Sequence, residues 1–308
     1  MNICVTGALG HIGSALIRHI GVPVKKIILI DNLATQRYCS LFNLPKKYKY
    51  QFVEMDILAE EIESIIKQVD VVVHLAAITD AQTSYYRPEL VKKVNEEGIH
   101  KIAHLCLKHG CKLIFPSTTS VYGVTQTTID ESCLKKQLQP QSPYAKSKLF
   151  GEILLQSLSK KGLKCVILRL GTIFGFSPGM RFHTVVNKFV FQACIGQPLT
   201  VWKTAYHQKR PYCDINDALS AINQVIRGQI FNGEIYNIVT INLAVANIIN
   251  IIKSYTPSVK YKLIDSPIMN KLSYEVSNQK SKDIGFQYKG DIKESIKQMV
   301  VVLNSLYF

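Results

Sequence analysis

The chain has 308 residues, 47% of them hydrophobic and 19% charged, with a formal net charge of +15. That length suits one large α/β domain or two small ones, and no apolar run is long enough to span a membrane. The basic residues fall in scattered pairs (Lys46-Lys47, Lys92-Lys93, Lys135-Lys136, Lys160-Lys161) with no stripe interleaved with aromatics, which argues against a nucleic-acid partner.

A positive field of this kind suits an anionic small substrate. The cysteines, at 4, 39, 106, 111, 133, 165, 194 and 213, contain no C-x-x-C pair. They read as reduced thiols of a cytoplasmic protein, with no disulfide framework and no metal site. The chain enters an apolar run at once, so no signal peptide is expected.

In chain order, Asn2–Thr6 reads as a strand. Gly7-Ala8-Leu9-Gly10-His11-Ile12-Gly13 follows, then a helical stretch to Ile20, then a second strand, Lys26–Ile30, ending at Asp31. Strand, glycine turn, helix, strand and acid together form a dinucleotide-binding pattern. Gly7 permits the tight turn, Gly10 lets the backbone approach a pyrophosphate, and Gly13 lets the helix lie close to the strand. The phosphates would meet the unpaired N–H groups of the helix start. Asp31 is placed to accept from the adenosine ribose and to repel a 2′-phosphate, which favours NAD over NADP.

Further strand-length apolar runs are expected at Gln51–Glu54, Asp70–His74, Lys112–Pro116 and Lys164–Leu170. Helical periodicity separates them at Ala59–Lys67, Glu89–His109 and Tyr144–Lys160. This alternation predicts an α/β fold, a Rossmann-type doubly wound parallel sheet with a smaller C-terminal substrate-binding lobe. After Gly175 the alternation breaks. Helices are expected at Met180–Cys194 and Asp214–Arg227, strands at Leu199–Lys203 and Ile235–Val239, and a last helix near Ile292–Ser305. The dinucleotide domain is assigned to residues 1–172, with 208–242 returning to it. Residues 173–207 and 243–308 form the substrate lobe.

Ligands in such sheets lie beyond the carboxyl ends of the strands. Asp56, His74-Leu75-Ala76-Ala77 and Ser117-Thr118-Thr119-Ser120 all fall there. Tyr144 and Lys148, four apart at a helix start after Pro143, share one face. A neighbouring ammonium favours the phenolate, so the pair reads as an activated phenol base. His74 reads as a structural strand-end residue and Asn95 as a loop-ordering one.

The stretches GALGHIG, DNL at Asp31, MDI at Asp56, HLAA at His74, VNEEG at Asn95, STTSVYG, PQSPYAKSK, LRLGTIFG and KRPYCDINDA occur in this order. With them the chain resembles the extended short-chain dehydrogenase/reductases of the NAD-dependent epimerase/dehydratase family, which act on nucleotide sugars. The resemblance runs from Met1 to about Ala218. It implies that Thr118 holds the reacting sugar oxygen, Tyr144 removes its proton, and Lys148 binds the nicotinamide ribose and lowers the Tyr144 pKa. It implies cofactor contacts from Gly7, Gly10, His11, Ile12 and Gly13, from Asp31 and Asn32, from Asp56 and Ile57, and from Leu75, Ala76 and Ala77. On the substrate side it implies Thr79, Thr118, Thr119, Thr172, Asn187 and Arg210, the last gripping a nucleotide diphosphate.

The family's 4,6-dehydratases carry an Asp-Glu pair where Thr119 and Ser120 stand, and hydroxyls cannot supply that acid and base. Thr172 and Pro211 also depart from common patterns. The expected activity is an NAD-dependent nucleotide-sugar 4-epimerase working through a keto-sugar. The alternatives are a dehydrogenase that stops at the keto-sugar and a non-catalytic dinucleotide sensor. The two long helices resemble those of the family's dimer bundle, so a homodimer is expected, with no membrane partner.

Overall fold

A computed structural model describes residues 1–123, 128–265 and 273–304. Its strands are β1 (Asn2–Thr6), β2 (Lys26–Asp31), β3 (Tyr50–Glu54), β4 (Val71–His74), β5 (Lys112–Thr118), β6 (Cys165–Leu170), β7 (Thr172–Phe174), β8 (Leu199–Trp202), β9 (Lys209–Asp214), β10 (Ile235–Ile238), β11 (Ile241–Ala244) and β12 (Tyr261–Ile264). Its helices are α1 (His11–Leu16), α2 (Ile62–Ile66), α3 (Pro88–Val91), α4 (Gly98–His109), α5 (Pro143–Ser159), α6 (Val185–Cys194), α7 (Ile215–Gly228), α8 (Val245–Tyr255), α9 (Gln279–Asp283) and α10 (Ile292–Asn304).

Seven strands form one parallel sheet in the order β3-β2-β1-β4-β5-β6-β10. The order turns back on itself between β1 and β4, which opens a crevice at their carboxyl ends. The strands are apolar on both faces because both are covered. In β1, Ile3 and Val5 join a core with α1 and α7, while Cys4 joins a second core with α2, α4 and α5. Along β2, Ile27 and Leu29 face the first core, Ile28 and Ile30 the second.

A three-stranded sheet, β11-β9-β7, and a two-stranded one, β12-β8, stand outside the large sheet. With α6, α8 and α10 they enclose a third core around Phe189, Ile248 and Met299. Strand β10 returns to the large sheet beside β6, whereas β9 pairs with β7 and β11.

Several helices differ from their periodicity. The first spans only His11–Leu16. The stretch expected as one helix over Glu89–His109 is α3, then a π turn over Lys92–Glu97, then α4. Within that π turn the buried Asn95 side chain accepts from Ile78 N at 2.8 Å and donates to Ile78 O at 2.9 Å and Ser147 Oγ at 2.9 Å. The expected Met180–Cys194 helix begins only at Val185, because tertiary hydrogen bonds hold the backbone of Gly175–Arg181 instead. The last helix is described to Asn304; Ser305 and the rest of the expected lobe boundary at 308 lie outside the described residues.

Candidate active site

The carboxyl ends of the strands open on one cavity of about 1010 Å³. Its walls include Gly7, Gly10, His11, Ile12 and Gly13 from the glycine turn, with Asp31, Asn32, Asp56 and Ile57 at one end. Leu75, Ala76, Ala77, Thr79, Thr118, Tyr144, Lys148, Thr172 and Arg210 line the rest. Residues far apart in sequence thus meet at one opening.

At Gly7 the backbone has φ +64°, and a β-carbon there would come within 2.6 Å of Ala76 N. Both the left-handed conformation and the close approach demand glycine. At the far end, the Asp31 carboxylate accepts from Leu9 N at 3.1 Å and Leu33 N at 3.0 Å. It thereby ties β2 to the turn. Each oxygen keeps a lone pair directed away from these bonds, so ribose hydroxyls can still be accepted. Asn32 Nδ2 donates to Asp56 Oδ2 at 3.0 Å, fixing the next carboxylate along the wall. A cradle where only glycine fits, a helix start and a strand-end carboxylate suit an adenine dinucleotide.

The base candidate stands at the start of α5. Ser142 caps this helix by accepting from Ala145 N at 3.1 Å, and Pro143 fills the first position. This puts the next residue, Tyr144, at the cavity. Burial raises the Tyr144 phenol above its ordinary value, and a hydrogen bond from Thr118 and the field of Arg181 oppose the rise. Thr118 also accepts from Ser120 N at 3.1 Å, which fixes its hydroxyl at the end of β5.

Lys148 differs from expectation. Its ammonium donates to Pro116 O at 2.8 Å and sits 4.5 Å from the Phe115 ring centroid. Burial pushes the amine down to about 8, and Glu152 opposes that shift. The groups that lower the Tyr144 phenol are Thr118 and Arg181 rather than Lys148, because the Lys148 ammonium is turned to the strand carbonyl.

His74 is buried and pushed down to about 3 by burial and the field of Lys148. Its Nδ1 shares a 2.9 Å hydrogen bond with Thr6 Oγ1, consistent with a neutral structural role.

On the opposite wall, Arg210 projects from β9, donates to Gln208 Oε1 at 3.2 Å and lies 6.0 Å from the Tyr274 ring centroid. Two expected substrate contacts lie outside the cavity wall. Thr119 is buried behind it, in the short turn after β5. Asn187 is wholly buried on α6, where it accepts from Gly175 N at 3.3 Å and donates to Arg181 O at 3.1 Å. Its amide orders backbone. Conversely, Arg37 and Arg181 line the cavity without having been expected there. Neither belongs to a motif, and no periodicity marks the Arg181 segment, whose backbone is held mostly by tertiary bonds.

Comparison with known proteins agrees with this geometry. The model of the NAD dependent epimerase/dehydratase family matches residues 3–239. An uncharacterized UDP-glucose epimerase, YtcB, of Bacillus subtilis is 28% identical, over 100% of this chain and 99% of that protein. The dTDP-D-glucose 4,6-dehydratase of Mus musculus is 30% identical, over 97% of this chain and 87% of its own. The crystal structure of UDP-glucuronic acid 4-epimerase from Bacillus cereus, with UDP-glucuronic acid and NAD, superposes with a TM-score of 0.87 at 26% identity, covering 100% of both chains. The glycine cradle, the strand-end acid and the phenol–hydroxyl pair share one cavity, and the comparisons say what kind of protein carries them: the chain belongs to the NAD-dependent epimerase/dehydratase family and is an NAD-dependent enzyme of nucleotide-sugar chemistry.

Proposed function

We propose that this enzyme is a 4-epimerase of a UDP-sugar. The observation that carries the reading is that Thr118 and Tyr144, whose side chains act on one another, face the same cavity as the glycine turn and Arg210. Tyr144 takes the proton from the sugar hydroxyl that is oxidised, and returns it after the keto-sugar has turned over in the site. Thr118 orients that oxygen. Bound on the glycine turn with Asp31 and Lys148, NAD would supply reversible hydride transfer at the sugar carbon and a positive ring beside the Tyr144 phenol. Lys148 holds the nicotinamide ribose. Arg210 meets the diphosphate with a planar fork suited to it. The sugar and nucleotide occupy the lobe built on β7–β9, α6 and α8.

Thr119 and Ser120 favour epimerisation over dehydration, since neither hydroxyl supplies the acid or base for water loss. The sugars named for relatives, UDP-glucose and UDP-glucuronic acid, are the first substrates to test. Incubation with a panel of UDP- and dTDP-sugars, with products assigned by NMR, should yield the 4-epimer and only a bound, sub-stoichiometric NADH signal. NADH accumulating with a keto product would favour the dehydrogenase alternative. No turnover of any sugar, with NAD still bound, would favour a dinucleotide sensor. Exposed Phe150 and Ile153 on α5, with Leu90 on α3, support a homodimer built on these helices. Sedimentation of the Ile153→Lys variant as a monomer would bear on that.

A further inference from the structure

Between β7 and α6 the chain runs as an irregular strap over the start of α1. Its bonds to the glycine-turn helix are all long-range. His11 Nε2 donates to Gly175 O at 2.8 Å, and Ser177 Oγ donates to His11 O at 2.9 Å. Ser14 Oγ accepts from Gly179 N at 2.9 Å and lies 3.1 Å from Ser177 Oγ. A β-carbon on Gly179 would fall 2.2 Å from Leu9 O, so the strap touches the turn backbone directly. From the other side, Asn187 Nδ2 donates to Arg181 O at 3.1 Å.

The residue so held is Arg181. Its Nη1 donates to Thr79 Oγ1 at 2.5 Å, and its Nη2 lies 3.9 Å from where a β-carbon on Gly10 would stand. Apart from Gly7 O at 3.3 Å, nothing else comes within 4 Å of that point. The guanidinium therefore hangs over the open side of the turn, where a dinucleotide would place its phosphates. Among the described residues no carboxylate oxygen lies within 4.0 Å of it. Arg37, on the same cavity wall, lies near enough to lower it further: burial, then the Arg37 field, push Arg181 down to about 10. Asp80 and Asp31 act on Arg181 through space, and Asp31 on Arg37, but among the described residues neither arginine is ion-paired, so both can still meet an anion.

We infer that Arg181, with Arg37 in support, clamps the pyrophosphate of NAD, so that the substrate-lobe strap locks the cofactor onto the glycine turn. In an epimerase such a clamp also holds NADH in place between the two half-reactions. The inference rests on the family's cofactor and stands whether the sugar reaction is epimerisation or oxidation.

Calorimetry on the full chain, after removal of co-purified nucleotide, tests it. Arg181→Gln should weaken NAD and ADP-ribose about ten- to hundred-fold, the range for losing a charge-assisted contact, while leaving adenosine affinity unchanged. Arg181→Lys should lose less, because it keeps the charge and forfeits the fork. Arg37→Gln should weaken NAD by a smaller factor. The variants' circular dichroism should match wild type, since the cavity side chain carries no core packing. Unchanged NAD affinity in Arg181→Gln overturns the clamp, and a loss confined to UDP-glucuronic acid would place this arginine on the sugar instead. Equal weakening of adenosine would mean that the turn itself had collapsed, which also refutes a phosphate-specific role.

Discussion

Glu152 offers the sharpest test of how the scaffold holds the catalytic end of β5. Both partners of the Glu152–Arg169 pair are almost fully buried, at 1% and 2% exposure. Glu152 Oε1 accepts from Arg169 Nε at 2.9 Å and Ser117 Oγ at 2.5 Å, and Oε2 accepts from Arg169 Nη2 at 2.6 Å. Among the described residues Arg169 Nη1 has no hydrogen-bond partner and Glu152 is the one carboxylate ion-paired with this guanidinium, which lies 4.7 Å from the Tyr122 ring centroid. Glu152→Gln keeps the shape, removes the charge and points an N–H₂ at a guanidinium. Removing one partner of a buried pair costs about 3–5 kcal/mol. Against a total stability on the order of 5–15 kcal/mol, that is a large fraction. Urea unfolding followed by far-UV circular dichroism should show the midpoint falling with an unchanged slope. The same substitution removes the field that holds up the Lys148 amine, so the alkaline limb of activity should move to lower pH. A loss below about 1 kcal/mol would refute the argument, since exposed pairs already account for that much. An unmoved alkaline limb would separate Glu152 from Lys148.

Tyr144→Phe should lower turnover by a factor on the order of 100 to 10,000 while NAD still binds; NADH forming from substrate at the wild-type rate in a single turnover would exclude Tyr144 as the base. Lys148 should also mark stability. Its folded pKa of about 8 lies below the ordinary 10.5, so between those values the unfolded chain holds the extra proton. Its contribution to stability should therefore rise with pH across that window, and Lys148→Met should flatten the rise in thermal unfolding scans. Asp31→Asn keeps an acceptor for Leu9 N and removes the charge, and should narrow the NAD-over-NADP preference by calorimetry by about 2 kcal/mol or less. Arg210→Ala should weaken UDP binding and spare NAD; the reverse would put Arg210 on the cofactor side.

What the sequence determined by itself is local. In β1 and β2 the residues between the strand ends, Ile3–Val5 and Ile27–Ile30, are apolar because both sheet faces are covered, and that run is visible without coordinates. The glycine turn is legible because each glycine answers a steric demand set within a few residues of it. Tyr144 and Lys148 share a helix face because they are four apart. Only the tertiary structure decided where Lys148 sends its proton, since Pro116 lies on a strand 32 residues earlier. It also decided that Asn187 holds backbone rather than substrate, and that Met180–Thr184 leaves the helical pattern. Arg181 is the plainest case. Its place over Gly10 is set by bonds such as Gly179 to Ser14, across 165 residues, and such contacts leave no period in the sequence because they repeat nothing. Periodicity reports the face an element buries, whereas an irregular strap is shaped wholly by its partners.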